Sequence, residues 1–235
     1  TTTAIWDSQM PALLRDHAVI RYDHPGHGSS PPIDRRCTVA DLASDVIALL
    51  ERLGVGRFSF CGLSLGGMVG LHVASDVPER VQSLVVCSTS ARLDAAAFWS
   101  ERAALVERDG LGPVADAAIA RWFTPAFARS HPDVVSRADE MFRSIDPISY
   151  ARLAELLADL DLTGTLGAIR APTLVIAGAD DVAIPPAHAD RVAEAIPRSS
   201  VLRVTGGAHL VNIEQPIVVA DALVRHLLPR GHAGK

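Results

Sequence analysis

Short runs of Val, Ile, Leu and Phe alternate along this chain with stretches whose apolar residues recur every three or four positions. Runs of the first kind are Ala18–Asp23, Arg57–Gly62, Val81–Ser88, Pro172–Gly178 and Ser200–Gly206. They are apolar at successive positions, which suits strands covered on both faces. Strands of that kind alternating with helical patterns predict an α/β fold, with a mostly parallel sheet and crossover helices on both sides.

The clearest helical pattern is Thr38–Leu53, where Val39, Leu42, Val46, Leu49, Leu50 and Leu53 share one face. Thr38 is placed to cap it, with Asp41 near the positive end of the helix dipole. Gly54 and Gly56 then release the chain into the next strand. Further helices are expected directly after Ser64, over Pro186–Ile196 and over Gln215–Leu228. Between Leu93 and Gly167 the strand pattern stops, and Ala, Arg, Leu and acidic residues dominate. Residues 93–167 therefore read as a helical cap inserted between residues 1–92 and 168–235, which form the core. Thr1–Trp6 reads like the interior of a domain, so the first strands of such a sheet are expected to be missing ahead of it. The tail from Arg230 to Lys235 reads as frayed, or as a linker.

Composition narrows the class. The 235 residues are 49% hydrophobic and 21% charged, which suits a globular domain carrying an insertion. A net charge of −5 argues against nucleic acid or an anionic membrane as partner. The three cysteines, Cys37, Cys61 and Cys87, lack metal-type spacing, and Cys61 and Cys87 are expected to be buried thiols. With no signal peptide and no apolar stretch of membrane-spanning length, the expected compartment is the cytoplasm.

The chemistry centres on Gly62-Leu63-Ser64-Leu65-Gly66, a G-x-S-x-G pattern between a predicted strand and a predicted helix. In that setting it is a nucleophile elbow: a serine on a strained turn, its hydroxyl at the carboxyl end of a strand, with glycines on both sides for close backbone approach. The helix dipole and the Leu65 N–H would stabilise an oxyanion. A serine needs a base at neutral pH. Of nine histidines, His209 follows the last predicted strand directly and lies after the nucleophile. His24 and His27 precede the serine, and His72 falls inside the helix after it. The acid that orients the base is expected after the strand ending at Gly178. Asp181 fits a G-x-x-D-x-x-x-P frame, and its neighbour Asp180 is the alternative.

Several segments resemble a known family. Asp23-His24-Pro25-Gly26-His27-Gly28-Ser29-Ser30 resembles the D-x-R-G-x-G-x-S turn of α/β-hydrolases, with Pro25 where arginine is usual. Phe60–Gly70, Arg121-Trp122-Phe123-Thr124-Pro125, Ala171–Asp181 and Ala208–Pro216 are similar to segments of 3-oxoadipate enol-lactonases. The resemblance implies the α/β-hydrolase fold with a helical cap, and a Ser64–Asp181–His209 triad that opens 3-oxoadipate enol-lactone in aromatic-compound catabolism, with no metal or organic cofactor. It places the second oxyanion donor upstream of Thr1. It makes Arg121 a candidate for the substrate carboxylate, with Trp122 walling the ring and Arg137, Arg143 and Arg152 as competing cations. It also allows fusion to a carboxymuconolactone decarboxylase domain in the full-length protein. Other esterases, perhydrolases, carbon–carbon bond hydrolases and ligand receptors share this fold, so the alternative partner is another small ester.

Overall fold

The computed structural model describes residues 1–227, and four of the five apolar runs are strands in it. These are β1 (Phe58–Leu63), β2 (Val81–Cys87), β3 (Thr173–Gly178) and β4 (Ser199–Val204). They lie side by side in chain order and pair parallel throughout. Side chains of a strand alternate between faces, and here both faces are covered. Leu84, Val86, Val175 and Ala177 point into one core, and Val85, Cys87, Leu174 and Ile176 into the other. That two-sided burial is the reason the runs are apolar at nearly every position. The three cysteines are free thiols. Cys87 is buried on central β2, whereas Cys61, expected to be buried, is only partly so because β1 is an edge strand.

Residues 18–23 correct the sequence expectation: they form no strand. The outer edge of β1 makes no ladder bonds to them, and a groove lined by Val19–Asp23 on one side and Phe60–Leu63 on the other separates the two. An apolar run becomes a strand only with a partner at hydrogen-bonding distance.

The helices follow their local signals. A 3-10 segment (Thr3–Gln9) and α1 (Met10–Leu13) open the chain, and α2 (Val39–Arg52) follows. Thr38 caps α2 through a reciprocal box: its Oγ1 accepts from the Asp41 N–H at 3.2 Å, and the Asp41 carboxylate accepts from the Thr38 N–H at 2.7 Å. Val39, Leu42, Val46 and Leu50 of α2 are buried, each contributing about 1.5–3 kcal/mol by leaving water. Helix α3 (Leu65–Asp76) packs on the same side of the sheet.

The chain between β2 and β3 holds α4 (Ala96–Asp109), α5 (Gly112–Ile119), α6 (Pro125–Ser130), α7 (Pro132–Arg143) and α8 (Pro147–Asp159). A single bridge, Arg92 to Asp161, ties the two ends of this insertion together. Proline opens α6, α7 and α8, and the Thr124 and Asp146 side chains cap α6 and α8. After β3 come α9 (Ala187–Ala195), β4, α10 (Val211–Glu214) and α11 (Pro216–Leu227). The expected closing helix, Gln215–Leu228, is α11 over its described residues, and α10 is a separate turn ahead of it that ends before Pro216, which has no N–H to continue it. Leu228 and the tail to Lys235 lie outside the described residues. Among those described, no helix is long and apolar enough to cross a membrane.

Candidate active site

Ser64 sits between β1 and α3 with φ 54° and ψ −118°, a conformation that non-glycine residues rarely adopt. The tight turn is held from outside: the Ser64 N–H donates to the Cys87 carbonyl at 2.9 Å, and Thr89 Oγ1 donates to the Ser64 carbonyl at 2.7 Å. The flanking glycines do not contribute equally. A Cβ on Gly62 would lie 2.1 Å from the Gly66 carbonyl oxygen, whereas one on Gly66 would meet nothing nearer than His24 Nε2 at 3.8 Å. Gly62→Ala is therefore expected to lower stability by about 1–3 kcal/mol or more through overpacking against backbone. Gly66→Ala, in the first turn of α3, should leave the urea unfolding midpoint unchanged or raise it. Equal midpoints for the two variants would show that the elbow has room at Gly62.

The candidate acid and the candidate base come from the loops after β3 and β4. His209 is 6% exposed and Asp181 2% exposed, and Asp181 Oδ2 lies 2.9 Å from His209 Nδ1. Asp181 Oδ1 accepts from the N–H groups of Ala183 and Ile184 at 2.8 and 2.9 Å, so the carboxylate is locked in orientation. A carboxylate can only accept, so Nδ1 carries the proton and Nε2 is left as the basic nitrogen. Asp180 is exposed, and its backbone N–H donates to Gly207 O at 3.0 Å, tying the two loops together. The His209 loop crosses directly over the end of β3: a Cβ on Gly178 would lie 2.2 Å from the Ala208 carbonyl oxygen. Ser64, Leu65 and His209 line one cavity. Ser64 Oγ and His209 Nε2 are not hydrogen-bonded to each other, and such catalytic contacts tighten as substrate is engaged. Leu65, first residue of α3, has no partner for its N–H within the helix.

Residues 1–216 match the family described as alpha/beta hydrolase fold. The chain belongs to that family. It is 37% identical over 216 residues to 3-oxoadipate enol-lactonase 2 of Acinetobacter baylyi, covering 92% of this chain and 80% of that protein. It is 33% identical over 232 residues to a protein of Pseudomonas savastanoi pv. phaseolicola that carries the name of a carbamate hydrolase, RutD, covering 94% and 88%. In structure it is similar to an enol-lactonase from Burkholderia xenovorans LB400, with a TM-score of 0.94 at 32% identity, covering 97% of this chain and 87% of that one.

In this α/β-hydrolase the inserted helices wall the cavity opposite Ser64, with Trp99, Arg102, Arg121, Trp122, Phe142 and Tyr150 among its lining. Arg121 and Trp122 are thus both brought to the cavity. Arg121 Nη2 donates to the Ala183 carbonyl at 3.2 Å, beside the acid, and Trp122 stacks edge-on against Phe142. The competing cations are engaged elsewhere: Arg137 with Asp133, Arg143 with Asp116 and Asp139, and Arg152 with Glu107 and Glu155.

Three features escaped the sequence reading. His24 and His27 also line the cavity, where burial first of all pushes them down to about 4 and about 3, so both stay neutral near pH 7. Arg102 faces the same space. The buried Glu214 clamps the insertion to the base loop: Oε1 accepts from the Thr124 N–H and Oγ1 at 2.8 Å each, and Oε2 accepts from the Ala208 N–H. The Leu210 N–H adds a bond to the Trp122 carbonyl at 3.0 Å. The segment Arg121–Pro125 is therefore anchored on the loop that carries His209.

Proposed function

We propose that this hydrolase opens 3-oxoadipate enol-lactone through a serine-bound acyl intermediate. The observation that carries the reading is Ser64, on its strained elbow, sharing a cavity with a histidine whose other nitrogen is engaged by buried Asp181. His209 Nε2 takes the Ser64 proton as Oγ attacks the lactone carbonyl carbon. The oxyanion forms beside the Leu65 N–H and the positive end of α3. Collapse breaks the ring C–O bond and releases an enolate, which takes the proton held by His209 and relaxes to the ketone, leaving His209 neutral again. A water deprotonated by His209 then attacks the acyl carbon, freeing Ser64 and releasing 3-oxoadipate. The lactone in particular is supported by the 37% identity to the Acinetobacter baylyi enol-lactonase.

The similarity to the RutD protein favours a second reading, carbamate hydrolysis on the same residues. Loss of the enol-lactone ultraviolet absorbance, measured beside ammonia release from a small carbamate, separates the two. The lactone reading expects the higher kcat/KM on the lactone. Preference for the carbamate overturns it and leaves the hydrolase chemistry standing.

A further inference from the structure

We infer that Arg102 anchors a carboxylate of the substrate, which restricts the natural substrates to small esters or lactones bearing a second, anionic group. The inference rests on the hydrolase reading for its setting, and it begins with an arginine that is both buried and unpaired. Arg102 is 9% exposed. No carboxylate among the described residues lies within ion-pair distance of it, whereas Arg92, Arg108, Arg137, Arg143 and Arg152 of the same insertion each have one. A guanidinium does not lose its charge by deprotonation. Burying it without an acid is costly, and truncation to a neutral side chain would remove that cost.

What holds Arg102 leaves part of it free. Nε donates to Tyr150 Oη at 2.6 Å, and Nη2 reaches the Val114 carbonyl at 3.4 Å. The rings of Phe98, Trp99 and Tyr150 lie 5.6–5.8 Å from its central carbon, an aromatic box that offsets some of the lost hydration. Among the described residues Nη1 has no hydrogen-bond partner. The side chain lines the same cavity as Ser64 and His209. Tyr150 accepts from Arg102, so its own O–H remains to donate, and burial raises its pKa and keeps that proton in place. A guanidinium with an open prong beside a phenol O–H is a receptor for one carboxylate.

Arg121 completes the positive end of the cavity. Its central carbon lies 5.7 Å from the Phe98 ring, which also faces Arg102 at 5.8 Å, so two guanidiniums share one aromatic platform. Arg121 makes one hydrogen bond, Nη2 to the Ala183 carbonyl at 3.2 Å, and is less buried than Arg102. The deeper burial of Arg102 without an acid is what singles it out, and Arg121 is the alternative anchor that the test separates from it.

Binding tests this without turnover. In the Ser64→Ala protein, calorimetry compares monomethyl adipate with dimethyl adipate, which differ in one carboxylate. The monoester is expected to bind at least about 30-fold more tightly, as befits a desolvated charge pair. Arg102→Met in the same background should shrink that preference to within about threefold while the far-ultraviolet circular dichroism is unchanged. Should Arg102→Met fail to fold, Arg102→Lys, which keeps the charge without the fork, should bind the monoester more weakly than its parent and still prefer it to the diester. Equal binding of the two esters by the parent, or no detectable monoester binding, overturns the inference. So does a preference that survives Arg102→Met and vanishes in Arg121→Met. The hydrolase reading stands or falls separately, on turnover by the unsubstituted protein.

Discussion

Ser64→Ala is expected to abolish ester and lactone hydrolysis, with a loss on the order of a millionfold in kcat, as removal of a triad nucleophile produces elsewhere. The fold should survive. Among the described residues Ser64 Oγ has no hydrogen-bond partner, and the contacts that hold the elbow use its backbone N–H and carbonyl, both retained by alanine. The left-handed φ of 54° is already borne by a residue with a Cβ, so alanine adds no steric clash. The check is the initial rate on the enol-lactone, with the unfolding midpoint measured on the same preparation. A folded Ser64→Ala protein that keeps a tenth of the parental rate would remove Ser64 from the mechanism and with it the acyl intermediate.

Asp181→Asn should lower kcat by about three to four orders of magnitude, and Asp180→Asn far less. The difference follows from what each carboxylate touches. Asp181 Oδ1 takes two backbone N–H groups and Oδ2 takes His209 Nδ1. An asparagine that keeps its oxygen on the backbone pair turns its NH2 toward Nδ1. His209 must then accept at Nδ1 and carry its proton on Nε2, the nitrogen needed to deprotonate Ser64. Asp180, one residue earlier, is exposed and engages the base loop only through its main chain. If the two variants ranked in reverse, the frame that assigns the acid would be misread by one position. Circular dichroism of Asp181→Asn separates the tautomer effect from loss of the loop.

Legible in the sequence by itself were four strands, the capped helix before β1, the run of helices between β2 and β3, and the loops just past a strand that carry Ser64, Asp181 and His209. These were legible because each depends on local signals: an apolar run, a turn and a chemistry-bearing residue just past it. In a parallel sheet such loops gather at one edge. The two aspartates differ in the sequence only by a frame of spacings, and in the structure Asp181 is buried against His209 while Asp180 is exposed.

Features that depend on what packs against them were decided only by the tertiary structure. Residues 18–23 have strand composition, yet whether they join a ladder depends on backbone across a groove, which composition does not encode. Gly62 and Gly178 are both constrained by carbonyls that the fold brings within 2.2 Å of an added Cβ, while Gly66, from the same motif, is not. Glu214 reads as one more acid near a helix end until Thr124 and Ala208 meet on it. Arg102 is the clearest case. It stands four residues after Phe98 and three after Trp99, spacing that places all three on one helical face. That was the signal available, but arginines on inserted helices ordinarily lie in solvent or pair with acids. Only the packing of α4 against α8 turned this one inward, toward Tyr150 and the cavity above Ser64.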